Sequence, residues 1–173
     1  VGSEMCIRDR VCTGYETAMM TLHTSGGREM MHRAAEAAAE EASRLGVQCP
    51  LLMGVTVLTS LKADELEEIG MNADTQGQVM RLAALAAESG LDGVVCSPHE
   101  IEIIKKELGS GFMVVAPGIR PLWAAAQDQK RIMTPAEAVA KGADFLVIGR
   151  PVIKAGSPSS AFSRIAEEIR TVL

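Results

Sequence analysis

The chain has 173 residues, 47% hydrophobic and only 3% aromatic, with a formal net charge of −5. That length and apolar content suit one α/β-sized domain whose core is built from Ala, Val, Leu, Ile and ten methionines. The acidic balance, without a cationic run or an aromatic-basic stripe, speaks against a nucleic-acid surface. No apolar stretch approaches the ~20 residues of a membrane span, and no secretory leader is legible. The expectation is therefore a cytoplasmic protein that engages neither nucleic acid nor membrane.

Residues 1–10, Val1 to Arg10, fit neither a strand nor an amphipathic helix and read as a non-native leader, with native sequence from about Val11. The run Ala18 to Leu22 reads as a strand ending at His23. From Arg28 to Leu45 the chain is rich in Ala and Glu at helical spacing, and Gly46 stands where a C-terminal cap belongs. Leu51 to Leu58 is a second strand, followed at Thr59-Ser60 by a short acidic helix near Ala63–Ile69. A further helix over Thr75 to Ser89 stops at Gly90. Gly93 to Cys96 is a short strand, and Ser97-Pro98 opens a helix with Pro in its first turn. Phe112 to Ala116 and Phe145 to Ile148 are short, β-branched runs that read as fully buried parallel strands. Between them Thr134-Pro135-Ala136-Glu137 has the cap residue, Pro and acid of a helix start. Ser157 to Leu173 closes the chain as a helix.

Strand and helix thus alternate through five units, the rhythm of parallel βα folds. A dinucleotide-type glycine fingerprint between strand and helix is absent, which weakens a doubly wound reading. A (β/α)8 barrel usually takes about 250 residues, so five units predict a partial barrel. In such barrels the loops after the last two strands form the usual phosphate site. Here those loops carry Gly118, Arg120, Gln129, Gly149 and Arg150. Glycine admits a close anion, and arginine offers a planar donor fork matched to phosphate oxygens.

The order Leu22-His23-Thr24-Ser25-Gly26-Gly27, Val57-Leu58-Thr59-Ser60, Gly93-Val94-Val95-Cys96-Ser97, Ala116-Pro117-Gly118-Ile119-Arg120-Pro121, Asp128-Gln129-Lys130-Arg131-Ile132-Met133-Thr134-Pro135 and Val147-Ile148-Gly149-Arg150-Pro151 resembles orotidine 5′-phosphate decarboxylase, most closely its bacterial branch. The likeness runs from about Met19 to the C-terminus. It implies strands four to eight of a (β/α)8 barrel over residues 11–173. It also implies conversion of orotidine 5′-monophosphate to UMP and CO₂ in pyrimidine synthesis, without metal or organic cofactor, by a homodimer with one catalytic aspartate donated across the interface. The resemblance assigns substrate contacts to Thr59, Arg120 and Gln129, and phosphate binding to Gly149 and Arg150. Plainer readings stand beside these. Thr59 could cap the helix near Ala63, Arg120 could be a solvated side chain, and Gly149 could be a simple turn.

The family's catalytic array of lysine and aspartates centres on an Asp-x-Lys-x-x-Asp motif, which by the family's spacing would fall at or before residue 1. No such string occurs in these 173 residues, so no catalytic residue is assigned, and the chain by itself is expected to be inactive. Two alternatives remain open. One is a non-catalytic product with residual nucleotide-phosphate binding; the other is a related sugar-phosphate barrel, such as a hexulose-phosphate synthase or pentulose-phosphate epimerase. His23 reads as a hydrogen-bonded structural histidine. His32 and His99 lack metal-ligand neighbours, and no metal site is indicated. The four scattered cysteines read as reduced thiols, with Cys96 buried and inert. Met19, Met20, Met30, Met31 and Met80 read as core, and Asp64-Glu65-Glu67-Glu68 as a solvated helix face.

Overall fold

Five strands form one sheet in the order β1-β2-β3-β4-β5 in the computed structural model, which describes residues 2–61, 63–71, 73–124 and 133–173, with backbone alone at 2–5 and 63. They are β1 (Met19–His23), β2 (Leu51–Val55), β3 (Gly93–Val95), β4 (Met113–Pro117) and β5 (Phe145–Val147). Every neighbouring pair is parallel. The helices among the described residues are α1 (Gly2–Gly14), α2 (Gly27–Leu45), α3 (Ala63–Glu68), α4 (Thr75–Glu88), α5 (Ile101–Leu108), α6 (Pro135–Ala140), α7 (Arg150–Ile153) and α8 (Pro158–Arg170). Parallel strands laid down in sequential order, each joined by a crossover of one hand, carry their helices on a single face.

Strand alternation shows which face that is. Register pairs Met20 with Leu52, Leu22 with Gly54, Gly54 with Val94, and Val94 with Val114. Met20, Leu22, Leu52, Val94, Val114 and Ala116 share one core with Met31, Ala34 and Ala38 of α2, Ala83 and Ala86 of α4, and Ile101 and Ile104 of α5. The alanines let helix and sheet backbones approach closely, so few aromatics are needed to fill the layer. The opposite parity forms an inner face. Met53 and Val115 are buried on it, while Thr21, His23, Phe145 and Val147 are exposed. Met19, Leu51, Met113 and Phe145 line a hollow of about 600 Å³ toward its N-terminal end. This is one wall of a barrel, with the inner surface open.

Two aspartates start strands by the same device. Asp92 accepts from the Leu52 amide at 2.8 Å while its own amide donates to the Leu52 carbonyl at 3.0 Å. Asp144 repeats this with Val114, accepting at 2.7 Å and donating at 3.0 Å, and also takes the Lys105 ammonium at 2.7 Å. Each satisfies an amide at the entry of a neighbouring strand that the ladder leaves unpaired. The expected helix ends are present as well. Gly46 caps α2 in the left-handed region at φ 68°, and Thr134 and Glu137 form a reciprocal capping box on α6.

Three expectations are set against the structure, and the two that concern strands are corrected. Residues 2–14 are helical: α1 lies along α2, with Asp9 and Thr13 fully buried, Arg10 paired to Glu40 at 2.9 Å and the Cys6 thiol on the Arg33 carbonyl at 3.5 Å. Its own periodicity is poor, and the helix forms because α2 supplies the partner surface. Second, β5 is half-exposed rather than fully buried, with Phe145 at 40% and Val147 at 51%. Among the described residues it is bonded only to β4, and its inner-face residues have no facing layer. Third, β2 ends at Val55 rather than Leu58: its last ladder pair, with Val95, is closed by the Thr56 amide on the Val95 carbonyl at 3.1 Å, and the Thr56 hydroxyl donates to the same carbonyl at 2.9 Å.

Candidate functional site

In a parallel sheet all C-terminal strand ends lie on one rim, where βα-barrel loops build their sites. Register places Val55, Val95, Val115 and Phe145 in one row, with Pro117 opposite Val147 one step nearer the rim. Short polar bonds tie that rim together. The Thr24 hydroxyl donates to the Val55 carbonyl at 2.8 Å, and the Cys96 amide donates to the Val115 carbonyl at 3.2 Å.

Arg120 and the Gly149-Arg150 pair leave the rim on neighbouring loops. Beyond β4 the chain turns at Gly118, whose φ of 77° is a conformation that L side chains resist. Ile119 is then buried at 1%, and the Arg120 amide donates to the Met133 carbonyl at 3.1 Å, pinning both limbs of the long loop at its base. The Arg120 residue is half-buried and Arg150 is exposed. Beyond β5, the Gly149 carbonyl accepts from the Val152 and Ile153 amides at 3.0 Å each, so that Arg150 opens the four-residue α7. A Cβ at Gly149 would meet no atom within 4 Å; the position faces open space. The sequence reading missed α7, although Pro151 in the first turn of a helix was a legible signal.

Thr59 is on the same rim but farther away, and it is not at a strand end. It lies four residues past β2, exposed, in a turn closed by the Leu61 amide on the Leu58 carbonyl at 3.0 Å. Gln129 lies outside the described residues, as do Asp128, Lys130, Arg131 and Ile132. The structure therefore brings Arg120, Gly149 and Arg150 to adjacent loops and sets Thr59 two strands away along the rim.

The remaining candidates divide. His23 ends β1 with the inner-face parity of Thr21, is exposed, and its ring has no hydrogen-bond partner among the described residues. The expected structural hydrogen bond is not made by any described residue, because alternation turns this residue away from the helices. Cys96 is 1% exposed, and burial, with the Glu100 carboxylate nearby, pushes its thiol up to about 12. That is an unreactive thiol. Glu100 itself has a buried Oε2 without a hydrogen-bond partner among the described residues, and burial raises its carboxyl above the ordinary range against the pull of the Ser97 hydrogen bonds. Met20, Met30 and Met31 are core, whereas Met19 lines the inner hollow. Asp64, Glu67 and Glu68 are exposed around a fully buried Leu66.

Fold and rim together define the class: one wall of a (β/α)8 barrel with its polar loops gathered at the C-terminal face. Sequence comparison specifies the branch of that class. The chain belongs to the orotidine 5′-phosphate decarboxylase / HUMPS family, whose profile matches residues 9–165. It is 50% identical over 152 residues to the orotidine 5′-phosphate decarboxylase of Rhodospirillum rubrum, covering 88% of this chain and 62% of that protein. Against the enzyme of the same name from Opitutus terrae it is 52% identical over 153 residues, covering 88% and 64%. The chain thus spans less than two thirds of the length of these two relatives. Its fold superposes on the crystal structure of orotidine 5′-phosphate decarboxylase from Lactobacillus acidophilus with a TM-score of 0.85 at 30% identity, covering 98% of this chain and 70% of that one.

Proposed function

We propose that this chain is part of an orotidine 5′-phosphate decarboxylase, which converts orotidine 5′-monophosphate to UMP and CO₂, and that it supplies the nucleotide-phosphate grip of that enzyme. The observation that carries this is the family match across residues 9–165 together with the placement of Arg120, Gly149 and Arg150 on adjacent rim loops. In this reading Arg150 offers its guanidinium fork to the phosphate, beside an open Gly149 and the start of the short extra helix typical of barrel phosphate sites. Arg120 adds a second cation from the neighbouring loop. Gln129 and Thr59 contribute polar contacts to the sugar and pyrimidine edge.

Binding and turnover separate in this proposal. Loss of CO₂ leaves carbanion-like charge at C6 of the pyrimidine, which needs a positioned ammonium to stabilise and then protonate it, and fixed carboxylates to hold that ammonium. The resemblance assigns those groups to an Asp-x-Lys-x-x-Asp motif that these 173 residues do not contain. The polypeptide by itself is therefore proposed to bind UMP weakly and to leave orotidine 5′-monophosphate unchanged, needing no metal or organic cofactor for either. The complete enzyme is proposed to be a cytoplasmic homodimer.

Calorimetric titration with UMP, and ultraviolet monitoring of orotidine 5′-monophosphate, test the two halves. Saturable UMP binding without turnover is the expected result; turnover by the purified chain would reveal an acid not recognised in this sequence. The family description also spans the HUMPS branch, so a sugar-phosphate enzyme is the competing reading. Preference for a pentulose phosphate over UMP would favour it.

A further inference from the structure

Helix α8 meets the Arg120 loop at both of its limbs. On the outgoing limb, Trp123 lies in a 3-10 turn (Leu122–Ala124) three residues past Arg120, and the Arg164 guanidinium carbon sits 4.4 Å from the centroid of its ring. On the returning limb, Glu168 Oε1 accepts from the Ala136 amide at 3.4 Å, in the first turn of α6. That turn directly follows Met133, whose carbonyl holds the Arg120 amide. Arg164 and Glu168 are one helical turn apart and so share a face of α8. Arg164 makes no hydrogen bond or ion pair with a described residue and instead stacks on Trp123.

We propose that Arg164 is a positioning residue: by stacking on Trp123 it braces the limb that leaves Arg120 against α8, while Glu168 holds the first turn of α6, and together they set where Arg120 stands on the rim. This rests on the nucleotide-grip reading above as far as Arg120 is concerned; the brace itself does not. A planar guanidinium over an indole is the best-matched cation–π pair, and a half-buried ring excludes water from one side of it.

The chain has one tryptophan, so its emission reports the brace without a label. Arg164→Gln is expected to raise the acrylamide quenching of Trp123 and to weaken UMP binding by about two- to fivefold, the equilibrium equivalent of an exposed cation–π contact. Arg164→Lys keeps a cation and is expected to recover part of both effects. In a Trp123→Leu background, Arg164→Gln is expected to add little, because the two residues act as one unit. If Arg164 instead served only as a remote charge on the phosphate, its effect on UMP would persist in full in that background, and the positioning role would be overturned. Unchanged quenching in Arg164→Gln would overturn the brace. If the unaltered chain bound no UMP, the nucleotide reading and the positioning role would fall together, and quenching would still decide whether the brace exists.

Discussion

Arg150 and Glu100 show how differently two charged residues on one rim are situated. Arg150 is exposed at the start of α7, next to a glycine that leaves open space, so its removal is expected to cost the fold little and, on the proposed reading, the ligand much. Arg150→Ala is expected to weaken UMP binding by about 1.5–3 kcal/mol, the range for a hydrogen bond to a charged group, with an unaltered melting temperature. Calorimetry checks the first and a thermal melt the second; a loss of stability without a loss of binding would make Arg150 structural. Glu100 is the reverse case. Burial lifts its carboxyl above the ordinary value of 4.5 and leaves Oε2 unpartnered. The folded state therefore holds this proton more tightly than the unfolded chain, and stability falls as pH rises from the ordinary glutamate value through the raised one. Glu100→Gln removes that titration. Melts from pH 4 to 8 are expected to show the variant gaining on the parent chain as pH rises, and parallel curves would refute the assignment.

Among the elements, α6 depends most visibly on a few atoms. The Thr134 hydroxyl accepts from the Glu137 amide at 3.2 Å, while Glu137 Oε2 takes the Thr134 amide at 2.8 Å and the Thr134 hydroxyl lies 2.9 Å from the same oxygen. These bonds satisfy donors that a helix start leaves free, and the Thr134 backbone bond chiefly draws the Glu137 carboxyl below its ordinary range. Glu137 is exposed, so its charge adds little, and what it adds is present at neutral pH and lost as acid protonates it. Thr134→Ala is expected to cost about 0.5–2 kcal/mol in denaturant unfolding. An unchanged midpoint would mean that the contacts of α6 with α8 hold the helix without its cap.

At the scale of the whole molecule, the sheet is paired only through its interior. Among the described residues strand β5 bonds to β4 alone, and Phe145, Val147, Ile153 and Phe162 are all at least 40% exposed around it. A parallel edge beside exposed apolar side chains promotes association. Light scattering is expected to show concentration-dependent oligomers, and Val147→Lys, which places a charge on that edge, is expected to reduce them. A monomeric parent chain across the accessible concentrations would contradict this. Among the described residues no helix is long and apolar enough to cross a membrane.

Local signals in the sequence determined the βα rhythm, the cap at Gly46, the capping box at Thr134 and the rim loops bearing Arg120, Gly149 and Arg150. Each depends on neighbours a few residues away: apolar spacing, a glycine with positive φ, a hydroxyl within reach of the next turn. The family resemblance was legible for the same reason, since its motifs are short runs at strand ends. Tertiary structure decided what depends on distant partners. Helix α1 forms along α2 despite its poor periodicity, β2 ends where Thr56 meets Val95, and β5 is half-exposed because only one strand among the described residues pairs with it. Likewise, whether His23 faced the helices or the inner surface, and whether Trp123 met Arg164, turned on how the sheet and α8 were placed. No pattern confined to one segment encodes a contact whose two halves lie about forty residues apart.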